Sequence, residues 1–381
     1  MLSNTAWGEL QQIRRYIHAR PELSGQEKAT AEYVCQQLQP LAPAAFWQEL
    51  GGTGVVATFD SGKTGPHLLF RAELDALPIQ ESNTFAHRSI FPGVSHKCGH
   101  DGHTTVLLGL ARLLHQQQDW KGKVSLLFQP AEETGAGALA MLEDPRIQGM
   151  QVDAAYAFHN LPGYPLGQIV VKAGAFTPAV QSILLKLQGH TAHAAEPENG
   201  LNPALALAEI LRLAKSLEVP TPEDHAFRLL TPVYMELGEK AYGVSAGEGE
   251  VHFTLRAWTK ESMDALVKAL LSGVGVICDS HRLQWEHSWT DSFRANFNQE
   301  VLVEKIRASA EGNQYAIHEM EQPLKWGEDF GAFTEIFPAA MFGIGAGEER
   351  PALHHEDYDF PDELTEVGVK MFWGIINQSN P

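Results

Sequence analysis

Thr104–Gln129 reads TTVLLGLARLLHQQQDWKGKVSLLFQ. Its first half, Thr104–His115, carries apolar residues at helical spacing, and its end, Val124–Gln129, is a short apolar run with β character. Working outward, Gly54–Phe59 and Leu68–Ala72 read as strands upstream. Downstream, Gly135–Leu142 reads as a helix and Ala154–His159 as a strand. Strands alternating with helices predict a layered α/β domain with a mostly parallel central sheet and helices on both faces. Nearer the start, Leu10, Ile13 and Ile17 mark a helix that stops at His18-Ala19-Arg20-Pro21, because Pro21 disfavours helix at the residue before it. A second helix follows Glu27, with Tyr33, Val34, Leu38 and Leu41 on one face.

The pattern changes after about Gly174. Ala179–Gln188 reads as a strand, Ala204–Leu217 as a helix, Phe227–Leu237 and Val251–Trp258 as strands, Met263–Val274 as a helix and Leu283–His287 as a strand. This β-α-β-β-α-β order predicts an inserted ferredoxin-like α+β unit. From about Ser292 the alternation resumes and ends in a helix at Glu363–Ile376. The expected organisation is a discontinuous domain, residues 1–175 and 292–381, around an inserted domain, residues 176–291.

The chain has 381 residues, with 28 Lys+Arg against 47 Asp+Glu, a formal charge of −19. That balance argues against nucleic-acid and anionic-membrane partners, which need a basic footprint. No apolar stretch reaches the roughly 20 residues of a membrane span. The start lacks the basic and apolar pattern of a signal peptide. Three cysteines, Cys35, Cys98 and Cys278, do not read as a disulfide framework. A reduced, cytoplasmic protein is expected.

Four clusters carry chemistry. Ser95-His96-Lys97-Cys98-Gly99-His100-Asp101-Gly102-His103 puts a soft thiolate two residues from an imidazole, a pair suited to Zn²⁺ or a similar ion. Asp101 and His103 could support such ligands from behind. Gln129-Pro130-Ala131-Glu132-Glu133 places two carboxylates after an apolar strand, where α/β sheets bind ligands. Neighbouring acids point apart, so one can bind metal while the other acts as general base. Taken alone, the pair could simply open a helix. His159 ends an apolar strand, and His354-His355-Glu356-Asp357 follows the Gly-rich stretch Gly343–Gly347, expected as a loop. Cys98, His100, Glu133, His159 and His354 together suffice for two metal ions sharing a ligand, the arrangement of metal-assisted hydrolysis.

The chain resembles the amidohydrolase branch of the aminoacylase/carboxypeptidase-G metallopeptidase superfamily, which includes hippurate hydrolase, auxin-conjugate hydrolases and N-acetyldiaminopimelate deacetylase. The resemblance spans nearly the whole chain. It rests on His18-Ala19-Arg20-Pro21-Glu22-Leu23-Ser24, Arg71-Ala72-Glu73-Leu74-Asp75-Ala76-Leu77-Pro78 and Cys98-Gly99-His100-Asp101-Gly102-His103-Thr104. It continues through Phe128–Glu133, His159 ahead of Leu161-Pro162-Gly163, His193-Ala194-Ala195, Glu328-Asp329-Phe330 and Leu353-His354. The resemblance implies that Cys98 bridges two ions and that His100, Glu133, His159 and His354 complete their shells. It makes Glu132 the base that takes the proton of a metal-bridging water and delivers it to the leaving amine. His193 would stabilise the oxyanion, often across a dimer formed by the inserted domain.

Departures from the family pattern are Glu73 for the usual Asp, Glu198 after Pro197 where His is common, and Gly243-Val244-Ser245-Ala246 for Asn-Val-Ile-Pro. The Arg expected thirteen positions after that Asn is present as Arg256, a candidate substrate-binding residue. The leading expectation is a dinuclear metal-dependent amidohydrolase cleaving N-acyl amino acids or related small amides. The cofactors are two divalent transition-metal ions per chain, Zn²⁺ favoured by the Cys98 thiolate and Mn²⁺, Co²⁺ or Ni²⁺ compatible with the remaining ligands. The expected assembly is a homodimer or higher homo-oligomer through the inserted domain. A dipeptidase or carboxypeptidase of the same superfamily is the alternative, disfavoured because those enzymes resemble one another in using Asp at the position of Cys98. A catalytically silent binding or scaffold protein is the third reading, motivated by Gly243 and Glu198.

Overall fold

The computed structural model describes residues 1–117 and 119–379. The chain opens with α1 (Asn4–His18), α2 (Lys28–Leu38), β1 (Ala45–Leu50), β2 (Gly54–Asp60), β3 (His67–Glu73), α3 (His100–Gln116), β4 (Lys123–Gln129), α4 (Gly137–Leu142), α5 (Pro145–Gln148), β5 (Ala154–Pro162), β6 (Ile169–Val171) and β7 (Gly174–Thr177). Next come β8 (Ala179–Gln188), β9 (Ala192–His193), α6 (Ala204–Leu217), β10 (Arg228–Leu237), β11 (Val244–Ser245), β12 (Glu248–Ala257), α7 (Lys260–Ser280) and β13 (Gln284–Phe293). The chain closes with β14 (Asn296–Asn298), α8 (Glu300–Gly312), β15 (Ile317–Glu319), α9 (Gly331–Thr334), β16 (Ala339–Gly347) and α10 (Glu363–Gln378).

Two compact units form. The first comprises Met1–Phe176, Asn296–Glu321 and Asp329–Pro381; the second comprises Thr177–Ala295 and Gln322–Glu328. The first is built on a sheet in the order β1-β2-β4-β3-β5-β16-β6-β15. Its centre is parallel: β3 pairs with β4 and β5, and β5 pairs with β16. These strands are buried almost throughout, as expected of parallel strands covered on both faces. One face packs Phe70, Phe128, Tyr156, Phe158 and Phe342 against α1, α3, α8 and α10 in a single core. The register Glu73↔Gln129 brings the ends of β3 and β4 to the same carboxyl edge.

The second unit is an antiparallel sheet in the order β10-β12-β8-β13. Ile183, Leu185, Leu187, Val251, Phe253 and Leu255 alternate inward and meet α6 and α7. The element order and strand order are those of a ferredoxin-like unit.

Three expectations need correction. The inserted domain was expected to be continuous, 176–291, but Gln322–Glu328 also belongs to the second unit. Arg256 donates to the Lys325 carbonyl at 2.8 Å, and Gly327 lies so close to Phe293 that an added Cβ would sit 2.9 Å from its ring. Helix α3 begins at His100 rather than Thr104, because Gly99, at φ +100°, turns the chain directly into it. Gly343–Gly347 is not a loop but the second half of β16. A Cβ at Gly343 would lie 2.2 Å from the Leu161 side chain, and one at Gly345 2.0 Å from the Pro165 carbonyl oxygen. Close approach of neighbouring chain, not flexibility, requires glycine there.

Candidate metal centre

The carboxyl edge of the first unit's sheet gathers side chains from separate segments. Cys98 precedes the Gly99 turn, His100 opens α3, Glu132 and Glu133 lie in the turn after β4, His159 is in β5, and His354 follows β16. The donor atoms of Cys98, His100 and His159 all lie within 4.8 Å of one another, and so do those of Cys98, Glu133 and His354. Cys98 belongs to both groups. His100, Glu132 and Glu133 form a third.

His100 and His159 are each aimed by a second residue. Nδ1 of His100 lies 3.0 Å from the Asp75 carbonyl oxygen and 3.1 Å from its Oδ1, which turns Nε2 inward. That Nε2 is buried with no hydrogen-bond partner, 3.9 Å from both Glu132 Oε2 and Glu133 Oε1. A buried imidazole nitrogen facing two carboxylates is the environment of a metal ligand held by a carboxylate behind it. Burial resists protonation of His100, but the Asp75 hydrogen bond and the carboxylates of Glu73, Asp75 and Glu133 outweigh it and raise the group to about 10. The centre therefore attracts positive charge, which a divalent cation supplies without the proton.

Nδ1 of His159 meets the Asn160 carbonyl oxygen at 2.9 Å, leaving Nε2 3.4 Å from Cys98 Sγ. A tetrahedral ion about 2.3 Å from sulfur and about 2.0 Å from nitrogen would set these atoms about 3.6 Å apart. Burial, with His103 beside it, pushes His159 well below the usual histidine range, so the ring is neutral as a ligand must be. His354 Nε2 lies 3.5 Å from Glu133 Oε2. The donor set fits two transition-metal ions.

Asp75 and Asn160 join these parts, and neither has a local signal that marks its task. Asp75 also accepts from the Glu133 amide at 2.9 Å and the Ser24 hydroxyl at 2.7 Å. Asn160 Nδ2 donates to the Cys98 carbonyl and to the Tyr358 hydroxyl oxygen. A Cβ on Gly99 would meet Asn160 Oδ1 at 2.4 Å, so only glycine admits Asn160 there. Glu73 pairs with Arg71 and holds His103 Nδ1 at 2.7 Å. Arg71 also bonds Gln129 Oε1 and Asp329. Glu132, 6% exposed, accepts from the Asp329 amide at 3.3 Å.

His193 and Arg256 belong to the second unit. His193 is exposed on the β9–β11 ribbon, opposite Val244, and its Nδ1 accepts from the Ala195 amide at 3.1 Å. With Nδ1 accepting, Nε2 is the ring nitrogen that can act as a donor. Gly243 lies beside it, its carbonyl oxygen accepting from the Ala194 amide at 2.9 Å. Arg256 lies on the sheet face away from α6 and α7, with its guanidinium on Lys325.

The family model for peptidase family M20/M25/M40 matches residues 69–378. The chain is 31% identical to N-acetyl-L-cysteine deacetylase of Bacillus subtilis, covering 94% of this chain and 85% of that one. It is 28% identical to hippurate hydrolase of Campylobacter jejuni, covering 94% and 93%. A dinuclear metal binding peptidase of the M20 family from Bacillus subtilis superposes with a TM-score of 0.85 at 26% identity, covering 98% of both chains. With these matches across nearly its full length and the donor set above, the chain belongs to peptidase family M20/M25/M40.

Proposed function

We propose that this protein hydrolyses the amide bond of N-acyl amino acids or closely related small amides, using two divalent metal ions. The observation that carries this is the position of Cys98 in both donor groups, with Glu132 beside them. When bound, the paired ions polarise the amide carbonyl and bring the pKa of a water near neutrality. Cys98, His100 and His159 would hold one ion; Cys98, Glu133 and His354 would hold the other. Glu132 is not needed to complete either group, and its carboxylate, accepting from the Asp329 amide, is the one assigned to move a proton. It takes the proton of the attacking water and gives it to the departing amine. His193 donates from Nε2 to the developing oxyanion. Arg256 contributes to substrate binding. The thiolate favours Zn²⁺.

The relatives named deacetylase and hippurate hydrolase support an acyl-amide substrate rather than a peptide. A homodimer through the second unit is supported by β10, an edge strand with Val233, Tyr234, Met235 and Leu237 exposed. A cytoplasmic location is supported by three free cysteines.

The deciding experiment pairs a metal-reconstituted screen with Glu132→Ala. The screen covers N-acetyl, N-benzoyl and long-chain N-acyl amino acids, with carboxyl-blocked amides beside them. Wild type is expected to cleave one of these classes. Glu132→Ala should keep two ions and lose turnover by about 10²–10⁴-fold. Unchanged turnover in the variant overturns the role of Glu132, and peptide cleavage without acyl-amide cleavage overturns the substrate class.

A further inference from the structure

His354 differs from the other donors in how it is held. Cys98, His100 and His159 are buried in or beside regular elements, whereas the His354 side chain is 51% exposed and lies in a segment without helix or strand. Its backbone adopts φ +65°, the left-handed region. A non-glycine residue stays there only when its surroundings over-determine the conformation.

The surroundings converge on Lys97. This lysine is completely buried, and its ammonium donates to Glu81 Oε1 at 2.7 Å, Asn83 Oδ1 at 2.7 Å and the Tyr358 carbonyl oxygen at 2.8 Å. Its own carbonyl accepts from the His354 amide at 2.8 Å. The two stretches it joins are also stitched directly. The Ser82 amide donates to the Glu356 carbonyl, and Asn83 Nδ2 to that of Asp357. At the far end, the Tyr358 hydroxyl meets Asn160, the residue that also holds the Cys98 carbonyl. Residue 97 adjoins Cys98, the donor shared by both groups. One side chain thus ties the 81–83 stretch and the 354–358 stretch to the backbone that presents Cys98.

Burying an ammonium is costly unless every donor is satisfied. All three donors are satisfied here, and an apolar side chain of similar length would avoid that cost if the position only filled space. We propose that Lys97 is a positioning residue that presets His354 to complete the second ion's shell, and that the affinity of that one ion depends on its ammonium. This rests on the two-ion assignment above.

The test uses the full chain with Zn²⁺ as probe. Lys97→Met keeps the side-chain length and removes the charge. Wild type should bind two ions. The variant should keep the tighter ion and lose about 10–100-fold in affinity for the weaker one, the usual effect of losing a residue that orients a ligand. In metal-free protein, hydrogen exchange over residues 354–358 should accelerate in the variant. In a His354→Ala background, adding Lys97→Met should cause no further loss of Zn²⁺ affinity, because the residue acts through His354; a merely structural role would add its own loss. Two ions bound as tightly as in wild type with unchanged exchange, or additive losses, overturn the proposal. If Lys97→Met does not fold, Asn83→Ala at the partly exposed end of the same network decides. A weaker second ion supports the proposal, and an unchanged one overturns it. Fewer than two ions in wild type instead overturns the two-ion assignment.

Discussion

His18 lies between two carboxylates that it can satisfy together only as an imidazolium. Nδ1 is 2.8 Å from Asp101 Oδ2 and Nε2 is 3.1 Å from Glu81 Oε1. Burial opposes its charge, and Arg14 adds to that opposition, but Asp101 and Glu81 prevail and raise the group to about 9. Asp359 stands 3.7 Å away, while the neighbouring His96 is buried and held down to about 4. A folded-state pKa above the unfolded value of about 6.5 stabilises the fold fully below that value, and the contribution is lost as pH rises through about 9. We expect His18→Gln to cost about 3–5 kcal/mol near pH 6, the typical result of removing one partner of a buried ion pair. The deficit should shrink as pH approaches 9. Urea unfolding of both proteins across that range checks this, and a deficit independent of pH would contradict it. His18 is visible in the sequence as part of a motif, but its partner Asp101 is 83 positions away and nothing local links them.

At the scale of elements, β10 shows what periodicity conveys and what it leaves open. Its apolar run marks a strand at Phe227–Leu237, and the observed element is Arg228–Leu237. Its place at the sheet edge becomes evident only from the pairing order. Pro232 sits there with a register shift before Tyr234, consistent with an edge where one face of the backbone lacks a partner strand. An edge bearing exposed Val233 and Met235 is a template for association unless charge blocks it. We expect wild type to sediment as a dimer and Val233→Lys/Met235→Lys to sediment as a folded monomer. A monomeric wild type would sink the dimer proposal. The start of α3 shows a related limit: His100, Asp101 and His103 are polar and Gly102 has no side chain, so no apolar stripe marks the first turn, and the Gly99 turn that launches it is a backbone feature.

At the scale of the whole molecule, Cys98, His100, Glu133, His159 and His354 belong to the first unit, and so does Glu132. A ligand stabilises the folded state that binds it, by about 2.7 kcal/mol at a concentration 100 times its Kd. Removing the ions with a chelator should therefore speed amide exchange in α3 and β5 and leave β8 and β12 unchanged. Equal acceleration in both units would show that their stabilities are coupled. The family resemblance picked out Glu133, His159 and His354 as candidate donors, whereas the layered α/β class, the inserted β-α-β-β-α-β unit and the Cys98/His100 pair were legible in the residues themselves. Those rest on local properties: the 3.6 and 2.0 periods of apolar residues, proline and glycine at turns, and thiol and imidazole groups at short spacing. The place of Cys98 in two donor groups, the aiming of His100 by Asp75, the clamping of the Cys98 turn by Asn160 and the hold of Lys97 on the 354–358 stretch emerge from the folded chain alone. Those contacts join residues 25 to 261 positions apart, brought together by the register of parallel strands and the burial of charged groups that must find partners. No residue carries a local mark of a partner that distant.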